Sequence, residues 1–146
     1  MNNFLGDIEI LQPYCNVSTV MDGRGGIFSW VPDEPIKEWT MFYFHANKVR
    51  GNHYHPEFTE YFLVVEGALL LITIDPVTKK DINMLISKGM CFRTPPNTPH
   101  AICALEETKC MSFLTKPWDE CKDPIIFEDL VPFDKEYNEY KSKHKI

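Results

Sequence analysis

From Phe4 to Thr115 the chain is a succession of short apolar runs, most of them stopped by Gly, Pro, Asn or Asp. The clearest are Ile8-Glu9-Ile10-Leu11, Val17 to Met21, Ile27 to Val31, Glu38 to His45, Tyr61 to Val65, Ala68 to Ile74, Ile82 to Ile86, Met90 to Arg93, His100 to Ala104 and Lys109 to Thr115. They are strand-sized and rich in β-branched and aromatic residues, and no helical period runs between them. Short strands with tight turns bury their apolar faces by packing sheet on sheet or by closing into a barrel. The predicted fold class is all-β, an antiparallel sandwich or barrel.

A chain of 146 residues is the size of one domain and can bury a substantial core. Its apolar (44%) and charged (25%) fractions are those of a globular protein. No run reaches the length of a membrane span, and no basic stretch precedes an apolar core at the N-terminus as a secretory signal would require. Five cysteines, at 15, 91, 103, 110 and 121, are odd in number and contain no CxxC pair. They read as reduced, mostly buried thiols, and the expected location is the cytoplasm. A net charge of −6 disfavours a nucleic-acid partner, because phosphate binding needs a basic face.

Asp22-Gly23-Arg24-Gly25-Gly26 lacks the Lys-Ser/Thr ending of a phosphate loop and any following helical pattern, so it reads as a turn between two strands. In Glu38 to His45 the residues split by parity. Trp39, Met41, Tyr43 and His45 share one face, and Thr40, Phe42 and Phe44 share the other. Both faces are largely apolar, which predicts a strand buried on both sides. Beyond Lys116 the sequence is irregular. Ile125-Ile126-Phe127 is expected to pair at a sheet edge, and Asp134 to Ile146 to form a solvated short helix or frayed end.

The chemistry concentrates in Arg50-Gly51-Asn52-His53-Tyr54-His55-Pro56-Glu57-Phe58-Thr59-Glu60. On a strand, His53 and His55 point the same way, about 7 Å apart. The connection at residues 56–59 is expected to let the next strand fold back and bring Glu60 beside them. His100, behind a proline-rich turn, would join from a distant strand that neighbours these in space. His45 alone would be read as a hydrogen-bonded core residue. Four such groups in a dry interior would each need a partner, and one shared cation satisfies all of them.

These residues resemble the cupins. The first cupin motif has the form His-x-His, three or four residues, Glu, six residues, Gly, and here His53, His55, Glu60 and Gly67 fill it. The second has the form Gly, five residues, Pro-x-Gly, two residues, His, three residues, Asn. Gly89, Pro95, Asn97, His100 and Ala104 stand at its positions, with Asn97 for the turn glycine and Ala104 for the closing asparagine. Asn47 stands where the first motif has an early glycine. The resemblance implies one cupin domain over residues 1–146, a double-stranded β-helix or jelly-roll barrel. Its core would cover about 38–116, with N-terminal strands in 4–31 and a short irregular or helical tail at 117–146. It also implies a divalent transition metal (Zn, Fe, Mn, Co or Ni) on His53, His55, Glu60 and His100, and a homodimer.

Within the cupins, Arg50-Gly51-x-His53-Tyr54, with Asp22-Gly23-Arg24-Gly25 upstream, is similar to the RmlC-type sugar-nucleotide 3,5-epimerases. Gly51-Asn52-His53-Tyr54-His55 with Glu60 and Phe62 to Val65 is similar to the zinc-binding cupin domain of capsular-polysaccharide enzymes. The sugar 3,4-ketoisomerases share the His-x-His element. The RmlC-type enzymes use the histidine matching His53 as a base, lack a histidine at the position of His55 and use no metal. A nitrogen of His53 that binds a metal cannot also accept a proton. The resemblance therefore implies metal-assisted enolisation of a nucleotide-linked keto sugar. Arg50 and Arg93 would meet the substrate, Lys48 being a further basic candidate, and Tyr43 or His45 would move the proton. The alternatives are an Fe(II)-dependent dioxygenase and a non-catalytic cupin that binds a sugar or another small molecule.

Overall fold

The computed structural model describes residues 3–13 and 20–131. It contains strands β1 (Asn3–Leu5), β2 (Ile8–Leu11), β3 (Val20–Asp22), β4 (Gly25–Ile27), β5 (Glu38–Phe44), β6 (Val49–Tyr54) and β7 (Glu60–Glu66). After these come β8 (Ala68–Ile74), β9 (Asp81–Ser87), β10 (Cys91–Thr94), β11 (His100–Ala104), β12 (Thr108–Leu114) and, past a single 3-10 turn at Trp118–Glu120, β13 (Ile126–Phe127). No α-helix occurs among the described residues, and none of their helices is long and apolar enough to cross a membrane.

All strand pairs are antiparallel. One sheet runs β1-β2-β10-β7-β12-β5, a second β13-β6-β11-β8-β9, and β3 with β4 forms a separate hairpin. Alternation along each strand sends one face into a common core. Ile8, Ile10, Phe44, Phe62, Val64, Phe92 and Cys110 from the first sheet meet Leu69, Leu71, Ile86, Ile102 and Ala104 from the second. Phe62 lies between Phe42 and Phe92, with ring centroids at 5.7 and 5.0 Å. The two sheets make the jelly-roll barrel.

Three local expectations need correction. The predicted strand from Ile27 to Val31 is displaced: the strand is β4, which starts in the glycine-rich turn, and the chain from Phe28 to Val31 is irregular. β5 is not buried on both sides. It is an edge strand whose inner face, with Phe42 and Phe44, packs in the core, while Trp39 (72%), Met41 (66%) and Tyr43 (60%) are exposed. The link after His55 does not turn β7 back beside β6, because the two strands lie in different sheets. It crosses the barrel, so Glu60 reaches the histidines from the opposite wall. Val17 to Thr19 and the tail from Asp134 lie outside the described residues.

Candidate metal centre

β6 and β11 are neighbours, and their register pairs His53 directly with His100. Between His100 and Ala101 the register shifts, so that Gly51 faces Ala101, Arg50 faces Ile102, and Asn52 is the extra residue of a bulge. Gly51 (φ 89°) and Asn52 (φ 56°) both take left-handed backbone conformations. A Cβ on Gly51 would also come within 2.8 Å of the His100 carbonyl oxygen, so this position needs glycine. The bulge has a consequence for the site. Residues three apart on a regular strand face opposite ways, yet across this bulge Arg50 and His53 share one face of β6.

His55 follows the end of β6 and remains in the group. Ring centroids are 4.6 Å apart for His53 and His55, 4.9 Å for His53 and His100, and 5.1 Å for His55 and His100. One nitrogen from each of the three can be chosen so that all lie within 4.8 Å of one another. From the facing sheet, Oε1 of Glu60 lies 3.6 Å from Nε2 of His55 and 3.8 Å from Nε2 of His100. These gaps are too long for hydrogen bonds. They are close to the roughly 3.4 Å that separates two ligand atoms each about 2.1 Å from one tetrahedral ion.

The surrounding hydrogen bonds fix how the site can be used. Nδ1 of His55 lies 3.0 Å from the Pro124 carbonyl oxygen, and Nδ1 of His100 lies 3.0 Å from that of Thr98. A carbonyl can only accept, so each Nδ1 carries a proton, and Nε2 is the ring atom that each histidine turns toward Glu60. Nε2 of His55 is buried without any hydrogen-bond partner. The Ser112 hydroxyl donates to Oε2 of Glu60 at 2.6 Å, leaving Oε1 for the histidines.

Protonation states agree with this picture. Burial, with His55 beside it, pushes His100 down to about 4, against a partial offset from Glu60. Burial and the other two imidazoles push His53 well below the ordinary histidine range. Burial would raise the Glu60 carboxyl, but the polar contact with His55, the charges of His55 and His100, and the Ser112 hydrogen bond outweigh it and hold the group at about 2. Near neutral pH burial therefore keeps His53 and His100 uncharged beside the Glu60 carboxylate, and one shared cation would satisfy these buried groups together. The donor set, three imidazoles and one carboxylate, fits a divalent transition metal.

The remaining candidates are placed as follows. Arg50 lies on the same face of β6 as His53 but is exposed, with its guanidinium 5.6 Å from the centroid of the Phe44 ring. Its partner Ile102 is two positions from His100, so Arg50 stands about 7 Å along the barrel from the cluster. Tyr43 and His45 are not brought to the site. Tyr43 is on the exposed face of β5 opposite Lys109, five positions along β12 from the residue opposite Glu60, a separation of about 17 Å. His45 pairs with Glu107 at 3.1 Å, and both side chains are 69% exposed. Arg93 neighbours Thr94, the partner of Glu60, but points to the outer face, where it holds Glu34 at 2.8 Å. Glu34 also accepts from Thr59 and Tyr61.

Sequence reasoning missed Ser112, the carbonyls of Thr98 and Pro124, and the wall formed by Phe58 and Trp118. Phe58 stacks on His55 with centroids 4.5 Å apart, and Trp118 lies edge-on at 6.3 Å. A lone serine and two backbone carbonyls leave no motif to find.

Residues 40–115 match the family described as Cupin domain. Comparison with curated proteins finds no match. Among solved structures, a 3,4-ketoisomerase from Helicobacter canadensis superimposes with a TM-score of 0.71 at 15% identity, over 97% of this chain and all of the other. The dTDP-4-dehydrorhamnose 3,5-epimerase of Sulfolobus tokodaii gives 0.66 at 21% identity, over 80% of this chain and 74% of the other. The capsular polysaccharide assembling protein CapF of Staphylococcus aureus gives 0.58 at 19% identity, over 76% of this chain and 32% of the other. At these identities the likeness is one of fold, and it is the jelly roll already described. With both motifs inside the matched span and that barrel around them, the chain belongs to the cupin family and has an RmlC-like fold.

Proposed function

We propose that this cupin binds a divalent metal and acts as an epimerase or isomerase on a nucleotide-linked keto sugar. The observation that carries the reading is the buried convergence of the His55 and His100 Nε2 atoms and one Glu60 oxygen, with Arg50 exposed on the same face of β6. A metal held by His53, His55, His100 and Glu60 supplies Lewis-acid polarisation of a carbonyl oxygen. Arg50 offers a fixed positive charge to a diphosphate, and its place along the barrel lets one ligand span both features. His53 is half-buried while the other three are buried, so an incoming ligand meets the cluster at His53. Phe58 and Trp118 exclude water from the His55 side.

The fold neighbours support the reaction class. Several are named as dTDP-sugar 3,5-epimerases or as 3,4-ketoisomerases, one of the latter in complex with TDP-4-keto-6-deoxyglucose. Epimerisation or ketone migration next to a carbonyl needs a carbon-bound proton removed and returned. The test is incubation of metal-loaded protein with TDP-4-keto-6-deoxyglucose in D2O, read by NMR. Deuterium entering the carbon beside the ketone is the expected result. Absence of exchange with this and related nucleotide-linked keto sugars would contradict the reading.

The same reading includes a homodimer. Trp39, Met41 and Tyr43 on β5 continue across the register to Phe113 and Met111 on β12 and Leu63 on β7, one apolar outer surface. Trp39, Met41 and Tyr43 are each more than half exposed, and contiguous exposed apolar residues of this size mark interaction surfaces. A second copy of the chain is the occupant we assign to it.

A further inference from the structure

We propose that residues 121–131 form a strap whose docking is coupled to metal binding, with Glu57 and Asn52 as its positioning residues. The inference rests on the metal reading of the histidine cluster. It concerns a segment outside the span of the cupin match.

After the turn at Trp118–Glu120 the chain runs back along β6 and adds β13 to its free edge. The register sets Ile126 against Tyr54 and Phe127 against His53, so the strap is zipped to the strand that carries the first ligand. The Phe127 ring meets the His53 ring edge-on at 6.2 Å. Just before β13, Pro124 supplies the carbonyl that accepts the hydrogen bond from His55 Nδ1–H. One ligand is thus paired by the strap and another is oriented by it.

Two residues flanking the His53–His55 pair, Asn52 in β6 and Glu57 in the connection to β7, fasten the ends. At the near end, Glu57 accepts the Asp123 backbone N–H at 2.6 Å through Oε2 and the Lys116 ammonium at 2.9 Å through Oε1. At the far end, the Asn52 carbonyl accepts the Glu128 N–H at 2.8 Å. Its side-chain Oδ1 accepts the Leu130 and Val131 N–H groups at 2.9 and 3.3 Å. Asn52 is fully buried and bulged, and its Nδ2 has no partner. A position with that conformational and desolvation cost is accounted for by what its oxygens hold.

Among the described residues the strap is fastened by these polar contacts and by a small apolar anchor, in which buried Leu130 and half-buried Val131 pack with Ile72 and Ala101, while Ile126 is 39% exposed. Segments with so little buried apolar surface open at low free energy. Opening removes the Pro124 carbonyl from His55, so the imidazole is free to carry its proton on Nε2, where the metal would sit. Weakening the strap must then weaken metal binding, and by linkage the metal must hold the strap down by the same factor.

Zinc titration and native-state hydrogen exchange of wild type and Glu57→Ala test this. Glu57 is partly exposed, and a matching circular-dichroism spectrum controls for folding, with Lys116→Met as a milder second variant. Wild type should bind zinc, and zinc should slow exchange of the Asp123, Glu128 and Leu130 amides. Glu57→Ala should bind zinc about 10-fold more weakly or worse, the range set by losing an outer-shell partner, and should lose that zinc-dependent protection. Equal zinc affinity in the two proteins, with strap exchange indifferent to zinc, would overturn the coupling and leave the metal centre standing. Failure of wild type to bind zinc or any other divalent transition metal would overturn the metal reading and the coupling with it.

Discussion

At His100 and Glu60, burial and neighbouring groups move proton affinities in a direction that sets the acid behaviour of the metal-free protein. His100 titrates near 4 in the fold against 6.5 ordinarily. As pH falls below 6.5 the unfolded chain takes up this proton and the folded chain does not. Stability is therefore lost from 6.5 down to about 4 and is then flat for this group. Glu60, held near 2 against 4.5, adds a contribution complete above 4.5 that fades from there toward 2. Both signs agree, so the melting temperature of the metal-free protein should drop on acidification from pH 7 and keep dropping through pH 4. Thermal melts across that range check this, and a melting temperature unchanged between pH 7 and pH 5 would count against it. The identities of the four grouped residues were readable from spacing, because imidazole and carboxylate are the residue types a metal uses. The roles of Tyr43, His45 and Arg93 were not, since period-two alternation says which residues share a face but not which face is inside.

The bulge in β6 and the edge position of β5 decide what those faces become. Gly51 and Asn52 look unremarkable as a dipeptide, and only the pairing with β11 reveals the shift that puts Arg50 on the same face as His53. The apolar residues on both faces of β5 suggested burial on both sides. The outer face is instead left open by the described residues, and a second copy is the occupant proposed for it. Trp39→Glu places a charge in that surface and leaves the Phe42 and Phe44 face untouched. Sedimentation should show a dimer for wild type and a shift toward monomer for the variant. Identical sedimentation of the two would contradict the assignment. Asn97, standing where the family has a turn glycine, takes φ 63°, a left-handed conformation that asparagine tolerates.

For the whole molecule, an antiparallel sandwich or barrel was legible from strand length and turn composition, which are local properties, while the jelly roll itself came from the resemblance to the cupins. The crossing between sheets after His55 was not legible, because a four-residue link reads the same whether it closes a hairpin or spans a barrel. The strap was legible only as an apolar triplet at a sheet edge, and its attachment on either side of the His53–His55 pair depends on tertiary contacts that no sequence period encodes. What unites these elements is that two walls and a C-terminal segment converge on one cluster of imidazole and carboxylate groups. The most direct measurement is elemental analysis of the protein as purified, beside a His55→Ala variant that keeps its fold. The account predicts about one divalent transition-metal ion per wild-type chain and at least a roughly 10-fold lower content in the variant, since losing a ligand costs no less than losing an outer-shell partner. Undiminished metal in the variant, or a metal-free wild type that also fails to take up metal when it is supplied, would contradict the account.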